Sequence, residues 1–330
     1  MARIPGGAIL AIMVTPLAPS ALAAELAPVL RNVARVVVGK DEAIELTAVA
    51  ALVGGHILVE DVPGIGKTTL AKAFARSVGG TFSRIQCTPD LLPSDVTGVH
   101  VLDQRAGTFT FQPGPIFSNV LLVDELNRAT PRTQAALLEA MEERQVTLEG
   151  TTRPLPAPFL VIATQNPIEL EGTFPLPEAQ LDRFLLRLRL GYPSEQEEDE
   201  LLLRFEGRSP LDELAAVLSP ERLLDLQVVT RSVRVEPTIR GYILALVRAT
   251  RGHEAVRLGA SPRASLALYH AAQALAALRG RDYVLPDDAK HLAAPVLAHR
   301  LILNSQARLR GRSELTVLDE VVSGTAVPVE

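Results

Sequence analysis

The chain has 330 residues, and at about 150 residues per domain that suggests two domains or one large domain with an appendage. Apolar residues make up 47% and charged residues 22%, which excludes a disordered chain, a collagen-like repeat and a disulfide-dense scaffold, and the single cysteine permits no internal disulfide. The net charge of -5 argues against a dedicated nucleic-acid binder, which carries a basic footprint.

At the N-terminus, Arg3 followed by an apolar stretch from Ala8 to Ala24 imitates a secretory leader. Pro16 and Pro19 interrupt it, and the spacing Leu22, Leu26, Val29, Leu30, Val33 predicts an amphipathic helix capped by Ser20. Residues 1–35 are therefore expected to form a loose tail and a helix. No uninterrupted apolar run elsewhere reaches the roughly 18 residues of a membrane span, so a soluble, cytoplasmic protein is expected.

Residues 36–191 alternate short apolar runs with helical patterns, the signature of βαβ units and a parallel sheet. Five strands are predicted, at 56–60, 82–86, 120–124, 159–163 and 184–188, most of them nearly continuously apolar as a sheet covered on both faces requires. Two hairpins interrupt the scheme. Val99, Val101, Phe109 and Phe111 alternate around a turn from Asp103 to Gly107, and Val146 and Leu148 precede a Glu149-Gly150 turn. Phe109 and Phe111 either pack the first hairpin onto the core or face a substrate. Cys87, within this region, reads as a small buried hydrophobe. After Tyr192-Pro193 the pattern becomes Ala, Leu and Arg at helical spacing, and residues 192–330 are expected to form an all-helical second domain. It opens on the acidic run Glu195 to Glu200, which suits the positive end of a helix.

The sharpest motif is Glu60-Asp61-Val62-Pro63-Gly64-Ile65-Gly66-Lys67-Thr68-Thr69, which follows an apolar strand and opens a helix. In a phosphate-binding loop the backbone N–H groups surround a phosphate chain, Lys67 reaches its β and γ groups, and Thr68 holds Mg²⁺. The pattern G-x-x-x-x-G-K-[ST] places its first glycine at position 61, where this chain has Asp, a residue that tolerates a left-handed backbone. With four lysines against twenty-nine arginines, a lysine at this position carries more weight than usual.

Downstream, Leu121-Leu122-Val123-Asp124-Glu125 delivers two carboxylates at a strand's C-terminal end, where open α/β sheets place ligands. Asp124 fits a Mg²⁺ ligand, and Glu125 fits the group that orients and polarises an attacking water. The following strand ends Ala163-Thr164-Gln165-Asn166-Pro167 and offers an amide where water and γ-phosphate would meet.

Together with Val38-Gly39-Lys40-Asp41-Glu42, Leu176-Pro177-Glu178-Ala179-Gln180-Leu181-Asp182-Arg183-Phe184 and Gly259-Ala260-Ser261-Pro262-Arg263-Ala264, these blocks resemble the MoxR-type AAA+ ATPases, over essentially the whole chain past residue 35. The resemblance implies a P-loop α/β core followed by a small helical lid, a homo-oligomeric and hexameric ring, ATP and Mg²⁺ as cofactors, a protein client and a von Willebrand factor A-type partner. By position, Val38 and Gly39 match the adenine-packing residues and Asn166 the first sensor. Arg183 matches the arginine finger given to the neighbouring subunit, and Arg263 the second sensor, acting on the γ-phosphate of its own subunit. Arg128 is left as a candidate interface residue. The hairpins resemble insertions of the wider clade that holds the magnesium-chelatase ATPase subunits. Chelatase ATPase subunit, nucleotide-dependent adaptor and DNA helicase remain as alternative functions. The intact catalytic set argues against the adaptor, and the acidic balance against the helicase.

Overall fold

The computed structural model describes residues 19–105, 107–166, 172–207 and 209–328. The expected N-terminal tail, Pro16 and Pro167 lie outside them. All five predicted strands form, and they make one parallel sheet. In chain order the strands are β1 (Ile57–Glu60), β2 (Phe82–Gln86), the hairpin β3 (Gly98–Asp103) and β4 (Thr108–Pro113), β5 (Val120–Asp124), the hairpin β6 (Gln145–Leu148) and β7 (Thr151–Pro154), β8 (Leu160–Gln165) and β9 (Leu186–Leu188).

The sheet order is β2-β5-β8-β1-β9, so β1 lies between β8 and β9, and the chain must cross over on both sides of it. The crevice at such a reversal, at the carboxyl ends of the strands, is where an open α/β sheet receives a ligand. Pairing Val59 with Thr164 and Val123 with Ala163 brings the ends of β1, β5 and β8 level at that edge.

Strand alternation divides the apolar residues between two cores. Leu58, Leu121, Val123, Val161 and Ala163 point to one face and pack with Leu137, Leu138 and Met141 of the helix Pro131–Glu143. Ile57, Val59, Val120, Leu122 and Ile162 point to the other, into a cluster that continues through helices Pro19–Ala34, Asp41–Val53 and Lys67–Ser77 to Leu246, Leu268, Ala271, Leu292 and Leu318 of the C-terminal half. The Ala-rich helix Pro262–Leu278 makes this continuity possible, because small side chains at Ala264, Ala271 and Ala274 let neighbouring helices approach closely.

Three local expectations change. Among the described residues the first helix runs Pro19–Ala34, so the backbone of Ser20 lies inside the helix and not ahead of it. The C-terminal half is not wholly helical, for Val256–Leu258 pairs antiparallel with Ile302–Leu303; runs of three and two residues are too short to show a period. In the first hairpin, Leu102 pairs with Phe109 and His100 with Phe111, so the phenylalanines share a face with His100 and Leu102 rather than with Val99 and Val101. Phe111 packs edge-on against Phe117 with the Arg153 guanidinium over its ring, whereas Phe109, two pairs further out, is 70% exposed. Among the described residues, no helix is long and apolar enough to cross a membrane.

Candidate active site

The loop after β1 turns on Gly64 and Gly66, at φ 87° and 94°, a region closed to most L-residues. A Cβ at either position would meet nothing within 4 Å, so the loop stands open on the side where a phosphate chain would lie. Helix Lys67–Ser77 begins directly after Gly66 and is held down by buried Leu70, Ala71, Phe74 and Ala75. Its first N–H groups have no partners within the helix and face the same opening.

This loop borders a cavity of about 830 Å³ whose walls include Val38, Pro63, Gly64, Ile65, Gly66, Lys67, Thr68, Thr69, Asp124, Glu125 and Asn166, so eleven of the fourteen residues named from sequence as binding or catalytic meet in one place. Burial lowers the pKa of the Lys67 ammonium, while Asp61, Asp124 and Glu125 oppose that shift. Its Nζ donates to the carbonyl of Asp61 at 2.8 Å.

Asp124 is 7% exposed and is held on both oxygens. Thr164 donates to Oδ1 at 3.3 Å, and Arg84 of β2 donates through Nε to Oδ2 at 2.7 Å. The same Thr164 hydroxyl accepts the N–H of Glu125 at 2.9 Å, so one side chain on β8 fixes both acids. Glu125 has a left-handed backbone at φ 55°, an uncommon conformation for a residue with a Cβ and one that costs of order 1 kcal/mol. It turns the side chain out of the strand direction at the cavity rim, where Arg128 meets it with Nε 2.8 Å from Oε2. Arg128, left from sequence as an interface candidate, thus belongs to the site. Burial, with Asp124 and Glu125 nearby, pushes the Cys87 thiol up to about 12, in keeping with an inert hydrophobe.

Three sequence assignments change. Gly39 is not part of the cavity wall, although its neighbours Val38 and Lys40 are; it adopts φ 68°, and a Cβ there would collide with the Glu197 side chain. Asp61 does not use the left-handed backbone that would have excused it in a glycine position. Arg263 sits at the start of helix Pro262–Leu278 as expected, yet it does not line the cavity of its own chain. It pairs with Glu142 at the end of helix Pro131–Glu143, and Arg183 pairs with the other oxygen of the same carboxylate, Nε to Oε2 at 3.0 Å. The two arginines stand together, away from Lys67.

Their placement is firmly built. Arg300, nearly fully buried, donates to the Asp182 carboxylate at 2.6 Å and to the carbonyls of Asp182 and Phe184, and the Ser261 hydroxyl donates to the other Asp182 oxygen at 2.7 Å. The residues on either side of Arg183 are therefore clamped by the helical half. Sequence reading missed Arg84, Thr164, Glu142 and Arg300. Arg84 alone left a signal, as a charge inside a run that reads as a strand of the sheet.

The chain matches the family described as "ATPase family associated with various cellular activities (AAA)" over residues 56–186 and the AAA lid domain over residues 248–321. It is 49% identical over 305 residues to YeaC of Bacillus subtilis, covering 92% of this chain and 95% of that protein. To Chaperone MoxR1 of Mycobacterium tuberculosis it is 45% identical, over 90% of this chain and 81% of the relative. The crystal structure of a protein from Cytophaga hutchinsonii described as an ATPase superposes with a TM-score of 0.88 at 39% identity, covering 94% of this chain and 97% of that one. Fold and site thus define an AAA+ ATPase, an α/β P-loop core with a lid. Within that class, the chain belongs to the MoxR family.

Proposed function

We propose that ATP is hydrolysed in the cavity around Lys67 with Mg²⁺ bound, and that each site is completed by the next copy in a homo-oligomeric ring. The observation that carries this reading is the separation of parts: the cavity gathers Lys67, Thr68, Asp124, Glu125 and Asn166, while Arg183 and Arg263 stand paired elsewhere on Glu142. An arginine that serves a γ-phosphate from outside its own pocket needs a neighbour's pocket to serve. We accordingly assign both arginines, not Arg183 alone, to the adjacent subunit's nucleotide.

In this mechanism the loop N–H groups and Lys67 hold the β- and γ-phosphates, and Val38 with Ile65 borders the base. Thr68 and Asp124 are the groups that would hold Mg²⁺, which supplies charge neutralisation on the phosphate oxygens. Glu125 and Asn166 orient water, whose oxygen attacks the γ-phosphorus as the bond to the bridging oxygen breaks, and Glu125 takes the proton. Arg183 and Arg263 of the neighbour balance charge on the γ-oxygens. Arg84 fits Asp124 as a counter-charge at the place where Mg²⁺ would compete for the same carboxylate.

The work done with this energy is, in our reading, remodelling of a protein client in the cytoplasm, in a hexamer, with a von Willebrand factor A-type partner. The mycobacterial relative, named a chaperone, supports the client, and the family resemblance supports the ring and the partner. Leu102 and Phe109, exposed on one face of the first hairpin, offer an apolar contact for such a client. A domain division at 191/192 is kept as part of this proposal.

The test is the ATPase rate per subunit against protein concentration. A rate that rises with concentration and is lost in Arg183→Ala supports completion between subunits. A rate indifferent to both would sink the ring mechanism.

A further inference from the structure

Asp61 stands where the phosphate-loop pattern has its first glycine, and its backbone makes no use of a glycine's freedom. Its carboxylate is instead fully engaged. Oδ1 accepts the N–H of Val62 at 2.9 Å, and Oδ2 accepts two successive N–H groups, Leu190 and Gly191, at 2.7 Å each. The Asp61 carbonyl receives the Lys67 ammonium, and the Asp61 N–H donates to the carbonyl of Gln165 at 3.2 Å. One residue therefore joins the end of β1, the end of β8, the phosphate-binding lysine and the turn that follows β9.

That turn leads straight to the opposite wall of the cavity. Gly191 reverses the chain at φ 65°, Tyr192 and Pro193 line the cavity, and Ser194 caps helix Glu195–Phe205. Leu201, Leu202 and Phe205 of this helix complete an apolar wall facing the loop. Lys40, reaching the Tyr192 carbonyl at 3.2 Å, is a second tie on the same turn, but it comes from outside the phosphate loop. Asp61 is the loop's own tie to the base-side wall. Hydrogen bonds from N–H groups to a carboxylate are about twice as strong as neutral ones, so this tie is short and stiff.

We propose that Asp61 is a positioning residue that sets the spacing between the phosphate cradle and the apolar wall, so that the cavity prefers a polyphosphate carrying a base over a bare one. The proposal rests on the nucleotide reading of the cavity. Glycine at 61, the residue of the regular motif, removes two acceptor oxygens and three hydrogen bonds and leaves the N–H groups of Leu190 and Gly191 without their partner, so restoring the motif impairs the site. Asn at 61 keeps one oxygen acceptor and sets an amide N–H₂ against the remaining donors.

The experiment is calorimetric titration of the full chain in Mg²⁺ with ADP and with inorganic tripolyphosphate, for the native protein, Asp61→Gly and Asp61→Asn. The native protein should bind ADP well above tripolyphosphate. In Asp61→Gly, ADP affinity should fall tenfold or more while tripolyphosphate affinity stays within about threefold, and Asp61→Asn should lie between. Loss of both affinities in parallel would overturn the proposal, since Asp61 would then merely support the loop. Unchanged ADP affinity overturns it as well. If Asp61→Gly fails to fold, the isosteric Asp61→Asn decides, by whether the ADP-to-tripolyphosphate ratio drops threefold or stays level. Native protein that binds no ADP at all would defeat the nucleotide reading itself, an outcome distinct from an unchanged ratio.

Discussion

The cavity edge of the sheet and the edge that carries Arg183 are built on opposite plans. At the cavity, the acids and Lys67 converge on open space, with glycines keeping backbone away from it. At the other edge two arginines converge on a carboxylate already present, Glu142, and Arg300 locks the chain on both sides of Arg183. One region opens toward a space lined by Lys67 and loop N–H groups, and the other gathers two arginines on one carboxylate. Under the ring proposed above, copies docking edge to cavity would satisfy both at once, and the unit of chemistry would be a pair of subunits.

The most damaging change to this complementarity should be Arg183→Ala. Removing a finger of this kind lowers kcat by about 10³ to 10⁵, with nucleotide affinity of the isolated subunit nearly unchanged. Mixing Arg183→Ala with Lys67→Ala subunits should restore part of the rate, since each supplies what the other lacks; co-assembled rings with no recovery would remove the trans assignment. Next, Glu125→Gln should retain ATP binding and slow turnover by about 10² to 10⁴, the usual contribution of a positioned base. Rapid single-turnover hydrolysis by this variant would strip Glu125 of its role.

Two buried neutral histidines support the Arg183 side of the sheet. His56, just before β1, donates through Nε2 to the Met141 carbonyl at 3.1 Å and accepts the Val161 N–H on Nδ1 at 3.0 Å, and burial holds its pKa down at about 3. His299, behind Arg183, donates to the Phe184 carbonyl at 3.0 Å and is held well below the ordinary value by burial and by Arg300. The folded pKa lies below the unfolded one in each case, so the unfolded chain takes up the proton first. Stability is therefore full above about pH 6.5 and falls as the pH drops toward each folded pKa, by about 1.4 kcal/mol per pH unit for each histidine. Urea midpoints at pH 7.5 and 5.5 measure this. A His56→Gln protein with the native pH slope would acquit His56.

The mildest expected effect belongs to Glu142→Gln. Partly exposed ion pairs contribute roughly 0.2 to 1 kcal/mol each, so freeing both arginines should ease their transfer to a neighbour's phosphate by only a few fold. It would show as half-maximal activity at a lower protein concentration. An unchanged midpoint would mean that Glu142 does not compete with the neighbouring site.

Strands, phosphate loop and the acids of β5 were legible because each is written in contiguous residues: an apolar run sets the strand, and glycines beside Lys67 set the loop. What escaped was every feature made by two distant segments. Glu142 meets Arg263 across 121 positions and Arg84 meets Asp124 across 40, and no local period encodes such meetings. Arg263 stands on the helix expected of it but pairs with Glu142 outside the cavity of its own chain, because motif order fixes neither lid orientation nor what a side chain meets. Asp61 looked like a flaw in a motif for a similar reason. Its partners, Leu190 and Gly191, lie about 130 residues away.

One apolar cluster runs from the sheet face at Ile57 and Leu122 through Leu22 and Val49 to Leu268 and Leu318 without a polar break. In thermodynamic language, the proposed boundary at 191/192 is then a division of labour and not of folding. The nucleotide core cut free of its lid would bare a face meant for burial, so heating should melt both halves in one cooperative transition. A lid bound in this way is expected to move together with the core as one body rather than to flap over the active site.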